Sequence, residues 1–139
     1  MNQAKLIVFT GIAAIASAYG VMAQQATPPA TSQAQAIKRI PLQRFDVPGT
    51  AYETVIGIAE IGPNTAIGRH SHPGPESGYL ISGSFELLID GQAGRTLTAG
   101  DSYQIPARAI HDAKTGADGA RVIATYVVEK GQPLASPAN

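Results

Sequence analysis

Turn signals recur so closely along the middle of this chain that an α-helix of ordinary length has no room between them. Short turn sequences in which Gly stands beside Pro, Ser, Ala or Asp recur about every ten residues from position 48 to position 119. The runs between these turns are rich in β-branched and aromatic residues, as strands are, and they span residues 52–61, 79–81, 85–89, 102–105 and 122–128. Short strands at regular spacing predict an all-β fold, either an antiparallel sandwich or a barrel.

The first 23 residues have the pattern of an export signal. Lys5 precedes an apolar run over residues 6–18, and small or tolerated residues occupy the cleavage positions up to Ala23. We expect cleavage after Ala23, a periplasmic or secreted protein, and no stable membrane insertion after cleavage. An uncleaved membrane anchor is the alternative, but the apolar run is short and ends in Ser17, Tyr19 and Gly20.

Two further segments lack the side chains that build a core. Residues 24–36 contain no aromatic and no large aliphatic residue, so we expect a flexible linker there. Residues 131–139 have a similar character and are expected to form a flexible tail. The folded domain is therefore predicted to span residues 37–130.

The charge balance and the absence of cysteine exclude several classes of function. Ten basic and ten acidic side chains give a formal net charge of zero, so the chain has no basic surface of the kind that binds nucleic acid. With no cysteine, the chain forms no disulfide and no thiolate metal site. Any metal must be held by histidines and carboxylates.

The chain contains three histidines, and their positions suggest a metal site. His70 and His72 stand two residues apart after a strand pattern, so alternation along an extended chain turns both side chains to one face. Glu76 follows a Pro-Gly-Pro bend that can return its carboxylate toward them, and His111 is the third imidazole. Imidazole nitrogens and a carboxylate suit first-row divalent metals and leave coordination positions open for water or substrate.

The stretch around the first two histidines resembles the first motif of the cupin family. That motif reads His-x-His, three or four residues, Glu, six residues and Gly, and it is matched by His70, His72, Glu76 and Gly83.

The second cupin motif is matched by Gly100, Pro106 and His111, and the resemblance extends over about residues 37–130. Three motif positions differ, since Gly, Gly and Asn of the family are replaced here by Asn64, Arg108 and Thr115. None of the three supplies a ligand in the family, so these differences put loop geometry in doubt rather than metal binding. Arg108 is expected to be a solvated turn residue, with a cation at the barrel mouth as the alternative.

The resemblance implies a double-stranded β-helix, the cupin jelly-roll barrel, with a metal inside it. The ligands would be His70, His72, Glu76 and His111, and they would hold one divalent transition metal per chain. Ligand chemistry does not choose among Fe, Mn, Ni, Co, Cu and Zn.

A cupin fold hosts many activities, so the function is less constrained than the fold. The resemblance is strongest to small single-domain cupins of the quercetin dioxygenase group, which implies a metal-dependent oxidoreductase acting on a small oxygen-bearing organic molecule. Glu76 would alternate between metal ligand and catalytic proton acceptor. Two alternatives remain open: a non-catalytic module that binds or senses a small molecule or a metal, and a metal-dependent isomerase.

Two further expectations depend on strand geometry. Tyr79, Tyr103, Gln104 and Tyr126 lie in predicted strands and are candidates for the substrate pocket, although alternation does not say which face is inside. Residues 37–47 precede the barrel motifs and are expected to pair as an edge strand in a homodimer.

Overall fold

The computed structural model describes residues 36–139, which form one curled sheet of eight strands. The strands are β1 (Ile37–Asp46), β2 (Tyr52–Ile61), β3 (His70–Ser71), β4 (Glu76–Ile89), β5 (Arg95–Thr98), β6 (Ser102–Ile105), β7 (His111–Glu129) and β8 (Ser136–Pro137). The all-β prediction is therefore confirmed. The predicted signal peptide, residues 1–23, and the predicted linker up to residue 35 lie outside the described residues. Within the described range, no helix has the length and hydrophobicity that a membrane crossing requires.

The long strands β4 and β7 connect the two halves of the fold. β7 is 19 residues long; its C-terminal part lies between β2 and the first half of β4, and its N-terminal part pairs with β3 and with the second half of β4. The first half of β4 also pairs with β6, and the second half with β5. Two bulges in β4 add local twist and curl the sheet. The result is the double-stranded β-helix that the motifs implied.

The core lies on the concave face of this sheet, and side-chain alternation selects the residues that fill it. Along β7, every second residue from Ala120 to Ala124 points inward, and Val122 is 4% exposed. Leu80 of β4 and Ile105 of β6 face the same interior and are 0% and 2% exposed. Burial thus shows which positions of β4, β6 and β7 point into the barrel. It also shows which candidate site residues on these strands face inward.

Gly78 marks a place where two elements approach closely. A methyl group at this position would overlap the phenol ring of Tyr103, which lies on the paired strand β6. Only glycine leaves room for that ring beneath β4. The packing of Tyr103 inside the barrel therefore depends on the absence of a side chain at Gly78.

The positions that differ from the cupin motifs have backbone conformations that explain the family's glycines. Asn64 has a φ of 50° and Arg108 a φ of 65°, both in the left-handed region that glycine adopts without strain. In this conformation the backbone N–H of Arg108 donates a hydrogen bond to the carbonyl of His72 at 2.8 Å. The hydroxyl of Thr115 donates to the carbonyl of Gly62 at 2.7 Å and so ties neighbouring loops together.

The C-terminal residues join the fold, which differs from the flexible tail expected for residues 131–139. β8 pairs with β3, with His70 opposite Pro137 and Ser71 opposite Ser136. These are backbone contacts, which do not need the large apolar side chains that the segment lacks. Composition alone therefore did not reveal them.

Candidate metal centre

Three strand positions bring the imidazoles together. His70 lies in β3 directly opposite His111, the first residue of β7, and His72 follows β3 by one residue. The ring centroid of His70 lies 4.2 Å from that of His111 and 4.9 Å from that of His72. One ligand nitrogen from each of the three rings lies within 4.8 Å of the others. The three histidines therefore form a group that could hold a metal ion.

Hydrogen bonds fix which nitrogen of each ring faces the centre. Each Nδ1 lies against a backbone carbonyl, at 2.7 Å from Gly68 for His70, 2.6 Å from Leu134 for His72 and 2.9 Å from Ala109 for His111. Because a carbonyl only accepts, each Nδ1 must carry the proton in the neutral ring. The Nε2 lone pairs are then free, which is the tautomer that a metal-ligating histidine adopts when its other nitrogen is held by a carbonyl.

Glu76 reaches the same centre because the Pro73-Gly74-Pro75 bend packs tightly against β7. A methyl group at Gly74 would overlap the carbonyl of Val127, so the bend can take this path only with glycine there. Glu76 then opens β4 with its side chain inside the barrel, 6% exposed. Its Oε1 accepts a hydrogen bond from the hydroxyl of Tyr103 at 2.7 Å.

The contact between Glu76 and His72 shows why the centre suits a cation. Oε2 of Glu76 lies 3.0 Å from Nε2 of His72 and 3.5 Å from Nε2 of His111. Yet Nε2 of His72 is buried without a hydrogen-bond partner among the described residues. With the proton on Nδ1, the short contact sets a lone pair against a carboxylate oxygen, which is unfavourable unless a positive charge lies between them. The donor set therefore fits a cation held by the three imidazoles and the carboxylate.

Electrostatics keep Glu76 ionised. Burial raises its pKa, but hydrogen bonds from His111, His72 and Tyr103 outweigh burial and hold the pKa at about 2. The two imidazoles donate these bonds only when Nε2 is protonated as well as Nδ1, whereas the hydroxyl of Tyr103 donates in either case. Burial lowers the pKa of His70, so that ring is neutral at pH 7. Burial also acts to lower the pKa of His111, but Glu76 and the carbonyl of Ala109 outweigh it and raise this pKa. A proton on His111 would thus compete with a metal for the same nitrogen.

The centre opens onto a cavity of about 220 Å³ inside the barrel. Of the four candidate pocket residues, Tyr103 and Tyr126 line this cavity, and the ring of Tyr126 lies 4.7 Å from that of His72. Burial, followed by the negative charge of Glu76, raises the pKa of both tyrosines. Both phenols therefore keep their protons at neutral pH and act as hydrogen-bond donors.

The other two pocket candidates lie outside the lining of this cavity. Tyr79 is 49% exposed because Glu76 and Gly78 occupy the inward positions of β4, which turns Tyr79 outward. Gln104 is exposed between the inward residues Tyr103 and Ile105 of β6 and borders a separate surface depression. Alternation could pair these residues in the sequence but could not tell which face was inside.

No motif in the sequence marks Leu134 or Arg39 as residues of the cavity. Leu134 contributes a backbone carbonyl to His72 and borders the cavity, although it belongs to the expected tail. Arg39 of β1 also lines the cavity. The sequence pattern of its strand predicts an edge strand but does not tell which way this side chain points.

Comparison with known proteins gives a family model and a set of similar folds. The model described as a cupin domain matches residues 57–132, which is more than half of the chain. No curated protein matches the chain.

Solved structures of similar fold include three proteins of low sequence identity. The DMSP lyase DddQ from Ruegeria pomeroyi DSS-3 has a TM-score of 0.63 at 16% identity, over 74% of this chain and 52% of that one. The polyketide cyclase RemF from Streptomyces resistomycificus has a TM-score of 0.59 at 22% identity, over 76% and 72% of the two chains. KdgF from Halomonas sp. has a TM-score of 0.57 at 20% identity, over 70% and 83%. The chain thus spans about half the length of DddQ, and these likenesses concern the fold alone.

Proposed function

This chain belongs to the cupin family, and we propose that it is an exported metal-dependent oxidoreductase acting on a small oxygen-bearing organic molecule. His70, His72, Glu76 and His111 would hold one divalent transition metal per chain. The observation that carries the proposal is the unpartnered Nε2 of His72, which faces Oε2 of Glu76 at 3.0 Å. A lone pair of Nε2 this close to a carboxylate oxygen favours a cation between the two atoms.

A divalent metal at this place would act as a Lewis acid toward a substrate oxygen at its open positions. The protein's own groups supply the rest. Glu76 is ionised and can accept a proton at Oε2, while its Oε1 stays bound by the hydroxyl of Tyr103. The phenol of Tyr126 stays protonated beside His72 and can donate a hydrogen bond to a substrate oxygen. The lining of the cavity is largely apolar and suits the hydrocarbon part of a bound molecule.

A non-catalytic binding module is the second candidate, and the cavity itself favours it. Apart from the four candidate ligands, the titratable groups that line the cavity are Arg39, Tyr103 and Tyr126. The pKa values of both tyrosines are raised, so neither phenol exchanges protons readily near neutral pH. Beyond the candidate ligands, the described lining therefore offers no group that exchanges protons readily near neutral pH, which gives an isomerase requiring both an acid and a base less support.

A test for substrate turnover distinguishes the oxidoreductase from the non-catalytic binding module. Metal-loaded protein is screened for oxygen uptake with small hydroxy and keto compounds, beside Glu76→Gln and the control Glu86→Gln. Glu86 lies on the same strand and is exposed. The oxidoreductase predicts oxygen uptake that Glu76→Gln abolishes and Glu86→Gln leaves unchanged. Metal uptake and ligand binding without any turnover would instead identify the binding module.

Export follows from the sequence pattern of residues 1–23. Expression of the full chain and N-terminal sequencing of the periplasmic fraction test this part. A mature protein beginning at Gln24 supports it, and a full-length chain retained in the membrane fraction contradicts it.

A homodimer formed through β1 belongs to the same proposal. β1 lies at the end of the strand order, and Leu42 and Phe45 on it are 46% and 50% exposed. An edge strand with exposed apolar side chains tends to find a partner. Solution scattering that gives twice the chain mass would support the dimer, and a monomer mass that persists at high concentration would overturn it.

A further inference from the structure

Arg39 faces the inside of the barrel although it lies on an edge strand. In the sheet, Arg39 is opposite Ala59 of β2, and Ala59 is opposite Val122 of β7. Residues directly opposite each other in antiparallel strands share a face, and Val122 belongs to the buried core. Arg39 is exposed and lines the same cavity as the three histidines. A molecule that enters the cavity can therefore contact this side chain.

The charge of Arg39 is not neutralised by the described part of the protein. Its neighbour Lys38 has a carboxylate at 3.5 Å, that of Glu60, and Arg44 on the same strand has that of Glu53 at 3.5 Å. Arg39 has no carboxylate within ion-pair distance among residues 36–139. Arg39 is also the one cationic side chain in the described lining of the cavity, apart from the imidazoles.

The rest of the cavity lining is largely apolar. It includes Pro41, Val55, Ile61, Ile67 and Ile105, and no charged group other than Glu76 lies in the described lining beyond Arg39. The positive charge of Arg39 acts to lower the pKa of Tyr126, whose ring lies 4.7 Å from that of His72. A molecule that fills the cavity would therefore meet the cation of Arg39, hydrocarbon walls and the ligand cluster.

We propose that Arg39 binds the carboxylate of the substrate, and that the cavity selects small organic acids with an apolar body. A guanidinium presents a planar fork of donors that matches a carboxylate, which gives this pairing direction as well as charge. The volume of about 220 Å³ limits the class to small acids. The proposal rests on the proposed function insofar as another part of the same molecule reaches the metal centre.

A pair of probes that differ in charge but not in shape tests the role of Arg39. 3-Phenylpropanoate and 3-phenylpropanamide are titrated calorimetrically into wild type, Arg39→Gln and the control Lys38→Gln. Lys38 is the exposed neighbour that already has an ion-pair partner. Each protein is measured both zinc-loaded and metal-free, because a carboxylate can also bind zinc directly. Zinc affinity of each variant is measured separately and reports whether the centre is intact.

We expect wild type and Lys38→Gln to bind the acid at least tenfold more tightly than the amide. In Arg39→Gln the two affinities become equal within about threefold in the metal-free protein, while zinc affinity stays at the wild-type value. A preference for the acid that survives in metal-free Arg39→Gln overturns the proposal. A preference that appears only in zinc-loaded protein, or no binding of either probe to wild type, overturns it as well.

These outcomes also separate the two proposals. If wild type takes up no zinc but its preference for the acid depends on Arg39, the metal-dependent function fails and the role of Arg39 stands. If zinc binds and Arg39→Gln changes nothing, the role of Arg39 fails and the metal centre stands.

Discussion

Replacing Tyr103 by Phe removes one hydrogen bond and almost no volume. The hydroxyl of Tyr103 donates to Oε1 of Glu76 at 2.7 Å, and the two residues are 8% and 6% exposed. The ring should stay in place, because it packs edge-on against Phe85 with 5.8 Å between centroids. A hydrogen bond to a charged group contributes about 1.5–3 kcal/mol, and burial leaves little water to replace it. We expect Tyr103→Phe to lower the free energy of unfolding of metal-free protein by about 2 kcal/mol at pH 7.

The pH dependence of this loss distinguishes the hydrogen bond from general packing. The pKa of Glu76 falls from 4.5 to about 2 in the folded protein, so the carboxylate's contribution to stability is complete above about pH 4.5. That contribution is lost as the pH falls toward 2, and the difference between wild type and Tyr103→Phe should shrink over the same range. Urea unfolding at several pH values measures it, with the exposed Tyr79→Phe as control. A difference below 0.5 kcal/mol, or one that does not vary between about pH 5 and pH 2, would refute the reasoning.

Three further predictions concern packing, positioning and protonation. Gly78→Ala should destabilise the fold by about 3 kcal/mol or more, because the added methyl group overlaps Tyr103. The control Gly116→Ala has open space around it and should cost under about 1 kcal/mol. Thermal unfolding that finds the two variants equally stable would contradict this. Removing residues 134–139 takes away the carbonyl that holds His72 and should weaken zinc binding about 10- to 100-fold, measured by chelator competition; an unchanged affinity would contradict it. Zinc affinity of wild type should fall as the pH drops below about 6.5, because protons compete for the imidazoles, and a flat profile between about pH 7 and pH 5 would contradict this.

Turn chemistry and ligand spacing made the fold and the histidine group predictable. Five of the seven turn signals fall between strands, because their residues adopt conformations that end strands. The other two, Ser82-Gly83 and Asp118-Gly119, lie inside β4 and β7, so the predicted runs 79–81 and 85–89 belong to one bulged strand. His70 and His72 share a face because alternation is a local property of extended chain. The pairing of His70 with His111 is not local, and its prediction depended on the resemblance to the cupin motifs.

What the sequence could not predict depended on contacts between distant segments. The carbonyl of Leu134 binds His72 across 62 positions, and no side-chain pattern encodes a backbone acceptor. Tyr79 and Tyr103 looked equivalent as strand tyrosines, yet one lies outside the barrel and one inside it, because facing is settled by which strands pair. The inward direction of Arg39 likewise depends on its register with Ala59.

The central claim is that three imidazoles and a carboxylate surround one cation, and X-ray absorption at the zinc edge tests it most directly. Full-length protein is stripped with a chelator, loaded with one equivalent of zinc and dialysed before measurement. The account predicts retention of about one zinc per chain, with three imidazole nitrogens at about 2.0–2.1 Å and at least one oxygen at a similar distance. Loss of the zinc on dialysis, or a coordination shell without imidazole scattering, would contradict it.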